Sequence, residues 1–167
     1  MMKKLFLIRH AKSSWDDAGL RDFERPLAQR GKRDAPFMAN ILLNMSVQPD
    51  KLVSSPAQRA QDTAVHFAKI LHVDPWNIQL IESIYEALPD TLHEVVTSLD
   101  NQWQTVLLFG HNPGFTLYAN RFSEGSRFDN VPTCGIVCIE SDTENWIDFV
   151  PGNAKIKEWF FPKSFAI

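Results

Sequence analysis

Apolar residues in this chain gather into short continuous runs separated by longer amphipathic stretches. Residues 5–8 read Leu-Phe-Leu-Ile, another strongly apolar run lies at 105–109, and the shorter stretches 51–54 and 78–81 also read as strands. Short unbroken apolar runs suit strands buried on both faces, as in a parallel sheet. The intervening segments carry apolar residues at helical spacing. A helix is expected over 27–45, with Leu27, Ala35, Met38, Ala39, Leu42 and Leu43 inward, although Gly31 and Pro36 interrupt it. Pro36 should kink or break that helix. A second helix should open at Ser55-Pro56, a capping residue followed by proline, and run to about residue 71. A third is expected over 89–99, and a fourth from Asn112-Pro113 to about 122. After a loop at 123–133, two more strands are expected at 135–139 and 146–150, separated by a polar turn at 141–145. Trp159, Phe160, Phe161 and Phe165 near the end should cover a sheet face or edge. No internal repeat or linker is present. Strands alternating with helices predict a single α/β domain over 1–167, a three-layer sandwich whose mostly parallel central sheet is flanked by helices.

Composition narrows the function classes. The chain has 167 residues, 44% hydrophobic and 22% charged, a net charge of −3 and a pI of about 5.9. This balance argues against a nucleic-acid binder, which usually carries a basic face. It leaves room for a local basic pocket that takes an anion. The apolar run after Lys3 and Lys4 is four residues long. A signal peptide needs roughly 7–15 and a membrane helix about 20. The expectation is a cytoplasmic protein without a membrane partner. The two cysteines, Cys134 and Cys138, would lie roughly 13 Å apart along a strand, too far for a disulfide. They read as reduced, buried thiols, with too few companions for a zinc site.

Three of the predicted strands finish in reactive groups. The first ends in Arg9-His10, the second in Ser54-Ser55-Pro56 with Arg59 one turn on, and the fourth in Gly110-His111. If these strands are parallel, the three endings share one rim, where open α/β sheets bind ligands. Two helix N-termini and two arginines there would favour an anion, and the set suits a phosphoryl group. A neutral imidazole can attack phosphorus, and a second, donating histidine can stabilise the equatorial oxygens. Glu82 and Glu86, just after the third strand, are candidates to protonate a leaving group. A lone histidine or arginine is more often structural, and His66, His72 and His93 are read that way. The agreement of three strand endings is what favours a site.

Those blocks resemble a known family. Arg9-His10-Ala11-Lys12-Ser13 is similar to the Arg-His-Gly signature of the histidine phosphatase, or phosphoglycerate-mutase-like, superfamily. The segment 54–64, Ser-Ser-Pro-Ala-Gln-Arg-Ala-Gln-Asp-Thr-Ala, resembles its second block, and Gly110-His111-Asn112-Pro113 its third. The blocks occur in order over nearly the whole chain. The short length, Glu24-Arg25-Pro26-Leu27 with Gly31, Tyr85-Glu86-Ala87 and Pro132-Thr133-Cys134 resemble the SixA-type phosphohistidine phosphatases. The resemblance implies His10 as the phosphorylated nucleophile, attacking through Nε2 with Nδ1 held by the backbone. It implies Arg9, Arg59 and His111 as the rest of the catalytic pocket, Arg25 and Ser13 as substrate-binding residues, and no metal or organic cofactor. Ala11 stands where the superfamily usually has Gly, and Asp16 where mutase-like members often carry Asn, so Asp16 should point away or restrict substrates. Glu86 is either a general acid or a solvated loop carboxylate; a phosphohistidine substrate needs no acid, because protonated imidazole leaves readily.

The resulting expectation is a histidine-nucleophile phosphatase acting on phosphohistidine in a signalling protein, such as a phosphotransfer domain. Three rivals stand beside it. One is a phosphatase or mutase for a small phosphorylated metabolite on the same scaffold. Another is a metal hydrolase with His10 and His111 as ligands. The third is a non-catalytic phosphate-binding module.

Overall fold

The computed structural model describes residues 2–165. Its centre is a six-stranded sheet built from β1 (Lys3–Arg9), β2 (Lys51–Ser54), β3 (Gln79–Leu80), β4 (Thr105–Gly110), β5 (Ile136–Ser141) and β6 (Ala154–Phe160), in the order β3-β2-β4-β1-β5-β6. The four strands from β3 to β1 are mutually parallel, whereas β5 and β6 run antiparallel. Four helices, α1 (Gln29–Asn44), α2 (Gln58–Ile70), α3 (Pro89–Thr97) and α4 (Gly114–Asn120), complete the chain's main elements. No helix among the described residues is long and apolar enough to cross a membrane.

Side-chain alternation along the strands divides the core into two layers. Phe6, Ile8, Leu52, Leu107 and Phe109 face α1 and α2, meeting Met38, Leu42, Ala64 and Phe67. Leu5, Leu7, Val53, Val106 and Leu108 face the other way, meeting Leu92 and Val96 of α3 and Phe115 and Tyr118 of α4. Both faces of β1, β2 and β4 are thus covered, which is why 5–8, 52–53 and 106–109 read as unbroken apolar runs. The expected three-layer architecture is the one observed.

The boundaries differ in instructive places. Pro36 lies inside a continuous α1. Its ring costs one intrahelical hydrogen bond, but Ala35, Met38, Ala39 and Leu42 on the buried face hold the helix together. Helix α2 begins at Gln58, not at Pro56. The Ser55 N–H is still committed to the sheet, donating to the Phe109 carbonyl at 3.0 Å. Helix α4 likewise begins at Gly114, after a cis Asn112-Pro113 bond. The Asn112 Oδ1 nevertheless accepts the Thr116 N–H at 3.2 Å, as a capping side chain should. The third strand shrinks from 78–81 to two exposed residues.

The expected strand at 146–150 is absent. Residues Trp146–Asp148 form a single 3-10 turn. Trp146 is fully buried and donates from Nε1 to the Trp103 carbonyl at 2.9 Å. Its apolar neighbours therefore plug the end of the core instead of pairing in the sheet. The last strand is β6, where Lys155, Lys157 and Trp159 face out and Ala154, Ile156 and Phe160 face inward. Trp159 and Phe160 are part of this edge strand itself, with Trp159 exposed, instead of covering the edge from outside the sheet. Cys134 and Cys138 are free and buried, and burial pushes the Cys138 thiol up to about 12.

Candidate active site

The register of the parallel strands brings their endings together. Arg9 pairs with Gly110 across β1 and β4, and Ser54 pairs with Phe109 across β2 and β4. The residues that follow, His10, Ser55 and His111, therefore emerge side by side on one rim. Gly110 is dictated by packing, because a Cβ there would lie 2.5 Å from the Phe115 ring. Cys134, with a positive φ of 59°, donates its N–H to the carbonyls of both Arg9 and His10 at 3.0 Å. The segment before β5 thus locks the backbone where β1 ends.

His10 and His111 face each other with ring centroids 5.3 Å apart and planes tilted by 51°. His10 is 7% exposed, and its Nδ1 lies 2.7 Å from the Ala11 carbonyl. A carbonyl oxygen only accepts, so Nδ1 carries the proton and Nε2 keeps its lone pair. Burial lowers the His10 pKa to about 4, a shift that the Ala11 hydrogen bond opposes and the charges of Arg59, Arg9 and Arg25 reinforce. The ring is neutral at neutral pH and presents a nucleophilic Nε2. Ala11 has no positive φ, and its N–H donates to Thr63 Oγ1 at 3.0 Å, so this turn does not need the freedom of glycine.

The His111 Nε2 lies 2.7 Å from Ser55 Oγ, and Ser55 also accepts the Ala57 N–H at 3.2 Å. Burial first, then the neighbouring His10 and the Arg59 charge, lower the His111 pKa to about 3, with Asp22 opposing and Arg9 reinforcing. Its Nδ1 is buried with no hydrogen-bond partner among the described residues, as is Arg9 Nε. Buried polar atoms are rarely left so, and both belong to the cluster at this rim. Anionic oxygens would satisfy them if Ser55 donates to Nε2 and Nδ1 carries the His111 proton. Arg9 is otherwise tethered through Nη1 to the Val131 carbonyl at 2.9 Å. Burial, with the Arg59 charge nearby, lowers the Arg9 pKa below its ordinary value.

One residue that sequence reasoning missed organises the outer side. Asp22 sits in a 3-10 turn, Asp22–Glu24, on the polar loop after β1. Its Oδ2 accepts from Tyr85 Oη at 2.7 Å and Arg59 Nη2 at 3.0 Å, and its Oδ1 accepts from Arg25 Nη1 at 2.8 Å. Arg59 Nη1 also donates to the Asp22 carbonyl at 2.7 Å. Burial pushes the Asp22 carboxyl up, but the hydrogen bonds from Tyr85, Arg59 and Arg25 and the Arg59 charge prevail and hold it at about 2. Tyr85 in turn stands edge-on to His111, centroids 5.5 Å apart. Burial and the Asp22 carboxylate raise the Tyr85 phenol to about 12. The Asp22–Arg25 spacing of three residues was visible in the sequence, but nothing local to that segment marked Asp22 as part of a site.

The remaining candidates are placed as follows. Arg25 and Ser13 are both buried, but they are bonded to each other through Nη2 and Oγ. Arg25 Nε donates to the Ser14 carbonyl at 3.0 Å, and its guanidinium lies 3.3 Å from the Trp15 ring centroid. This geometry makes Arg25 a brace between the loop and Asp22. Asp16 is exposed. Glu86 is also exposed, with a φ of 55°, and no hydrogen bond or ion pair among the described residues reaches it. Glu82 is exposed as well. His93 Nδ1 bonds to Tyr118 Oη at 2.9 Å, away from the rim, consistent with a structural part. No cluster of three or more His, Cys, Asp or Glu side chains among the described residues could hold a metal ion.

The chain is similar to several known proteins. Residues 5–86 match the model of the histidine phosphatase superfamily, branch 1. An uncharacterized protein of Mycobacterium tuberculosis is 30% identical over 165 residues, covering 93% of this chain and all of that one. Phosphoserine phosphatase 1 of Hydrogenobacter thermophilus is 31% identical over 104 residues, 53% of this chain and 48% of that one. In three dimensions, the protein histidine phosphatase SixA complexed with tungstate superposes with a TM-score of 0.82 at 21% identity, covering 97% of this chain and 99% of that one.

Proposed function

Because the chain belongs to the histidine phosphatase superfamily and is a phosphatase with a histidine nucleophile, we propose that its substrate is phosphohistidine on a protein, such as a phosphotransfer domain of a signalling relay. The observation that carries this reading is the state of the carboxyls. Asp22, hydrogen-bonded to Arg25, Arg59 and Tyr85 at the site, is held ionised, and Glu86 stands in solvent. Alcohol leaving groups need a proton, whereas a protonated imidazole leaves as a neutral ring without one. The likeness in fold to a protein histidine phosphatase supports the same choice.

In this mechanism His10 Nε2 attacks phosphorus in line. The bond to the leaving nitrogen breaks, and its electron pair returns to the substrate imidazole. Arg9, Arg59 and His111 stabilise the charge on the transferred group. Water then attacks the phosphorus on His10, releasing inorganic phosphate and restoring the neutral ring. The test is a panel of phosphohistidine-bearing phosphotransfer domains, phosphoserine and sugar phosphates, together with acid-quench-sensitive labelling of the enzyme. Turnover of the phosphorylated domains with label on His10 is expected. High turnover of small phosphates with none of the domains would overturn the preference. That second reading, a small-molecule phosphomonoesterase, draws on the relative named phosphoserine phosphatase 1.

A further inference from the structure

We propose that Asp22 selects the leaving group: its carboxylate, held at the mouth of the site by Arg25, Arg59 and Tyr85, accepts the free ring N–H of an N-phosphorylated imidazolium. The inference rests on the phosphohistidine reading above.

Placement is the first argument. Arg59 and Arg25 side chains are 9% and 8% exposed, yet the Asp22 side chain they hold is 46% exposed. The carboxylate therefore caps the buried cations from the solvent side, where a leaving group departs from a phosphoryl seated on Arg9, His10 and His111. Tyr85 bonds Asp22 through its hydroxyl and stands edge-on to His111 with its ring, so one side chain spans both groups. Phe23 packs on the same ring, centroids 5.1 Å apart, and fixes the turn that carries Asp22.

Capacity is the second. An ionised carboxylate offers about four lone-pair positions. Among the described residues Oδ2 accepts from two donors but Oδ1 from Arg25 alone, which leaves a position on Oδ1 for one more N–H. Phosphoimidazolium has its phosphoryl on one nitrogen and an N–H on the other. An N–H donated to a carboxylate is a charge-assisted bond that favours the protonated ring, the form in which the P–N bond breaks to give neutral imidazole. A sugar or seryl phosphate brings neither the positive charge nor that donor, and its extra negative charge meets a like charge at the mouth.

The experiment compares phosphoimidazole with p-nitrophenyl phosphate in the wild type, Asp22→Asn and Asp22→Glu. Asp22→Asn should lower kcat/KM for phosphoimidazole at least tenfold more than it lowers kcat/KM for p-nitrophenyl phosphate, the smaller loss on the latter reporting the disturbed Arg59 contact. Asp22→Glu should recover part of the phosphoimidazole rate. The phosphoimidazole rate of Asp22→Asn should also begin to fall at lower pH than that of the wild type, because the variant no longer supports the protonated ring. A parallel loss on both substrates would reduce Asp22 to a support for Arg59 and overturn the proposal, as would no change on either. A wild type that hydrolyses p-nitrophenyl phosphate but not phosphoimidazole would instead overturn the phosphohistidine reading, and the proposal with it.

Discussion

The two halves of the sheet are built from similar residues but do different work. In the parallel half, β1, β2 and β4 end together and each hands its next residue to the site: His10, Ser55 and His111. In the antiparallel half, β5 and β6 contribute no reacting group. Their approach segment supplies only backbone, the Cys134 N–H and the Val131 carbonyl, which hold His10 and Arg9 in place. Strand direction explains the division. Parallel neighbours place like ends at one rim, so side chains accumulate there; an antiparallel neighbour brings a strand start to that rim and serves as a buttress.

The sharpest way to break this comparison is His10→Asn, which should leave the fold intact and lower turnover by at least about 10⁴-fold, or roughly 5 kcal/mol of barrier. Retained turnover in a stopped assay would show that the nucleophile lies elsewhere. On the opposite half, Trp146→Ala should cost about 3–5 kcal/mol of stability, read by urea denaturation. Its activity per folded molecule should stay near wild type. If activity fell instead, the antiparallel half would be more than a buttress. Arg59→Ala should lower kcat/KM by about 10²–10³.

Acidity separates the halves by a smaller effect. The folded-state pKa values of His10 and His111, about 4 and about 3, lie below the ordinary histidine value of 6.5. The unfolded chain therefore takes up protons first as pH falls. Stability from these two groups is complete above roughly pH 6.5 and is lost as pH drops toward 4 and then 3. Stability should therefore decline measurably between pH 7 and pH 4. The decline should be shallower in a His10→Asn/His111→Asn double variant, and identical curves would sink the assignment of neutral buried rings. The smallest effect belongs to Glu86→Gln, expected to change kcat/KM by less than about twofold. A loss of about 10²-fold would restore Glu86 as the general acid.

Legibility in the sequence followed the same line. Strands β1, β2 and β4 could be read because both their faces are buried, so 5–8, 52–53 and 106–109 are unbroken apolar stretches. Their rim could be read because Arg9, His10 and His111 stand at the ends of those runs and Arg59 lies one turn beyond Ser54–Pro56. The edge strand β6 was not read, because Lys155, Lys157 and Glu158 break its apolar pattern while the buried turn at Trp146 imitates a strand. Asp22 was not read because its meaning depends on Arg59 and Tyr85, which lie 37 and 63 residues away and meet it only in the fold. Pro36 shows the converse, a strong local preference overruled by the packing of its neighbours.

The position of β1 has a temporal consequence. It has hydrogen-bonded neighbours on both sides and helices over both faces, so the amides of Leu5–Ile8 can exchange with solvent only when the whole sheet opens. The turn that carries Asp22 is tied down by a few side chains at an exposed surface and can open by itself. In a hydrogen-exchange experiment the two should differ by several orders of magnitude in rate. Under mild denaturant, or brief proteolysis, the molecule would lose its discrimination between leaving groups while His10 still accepted phosphoryl groups.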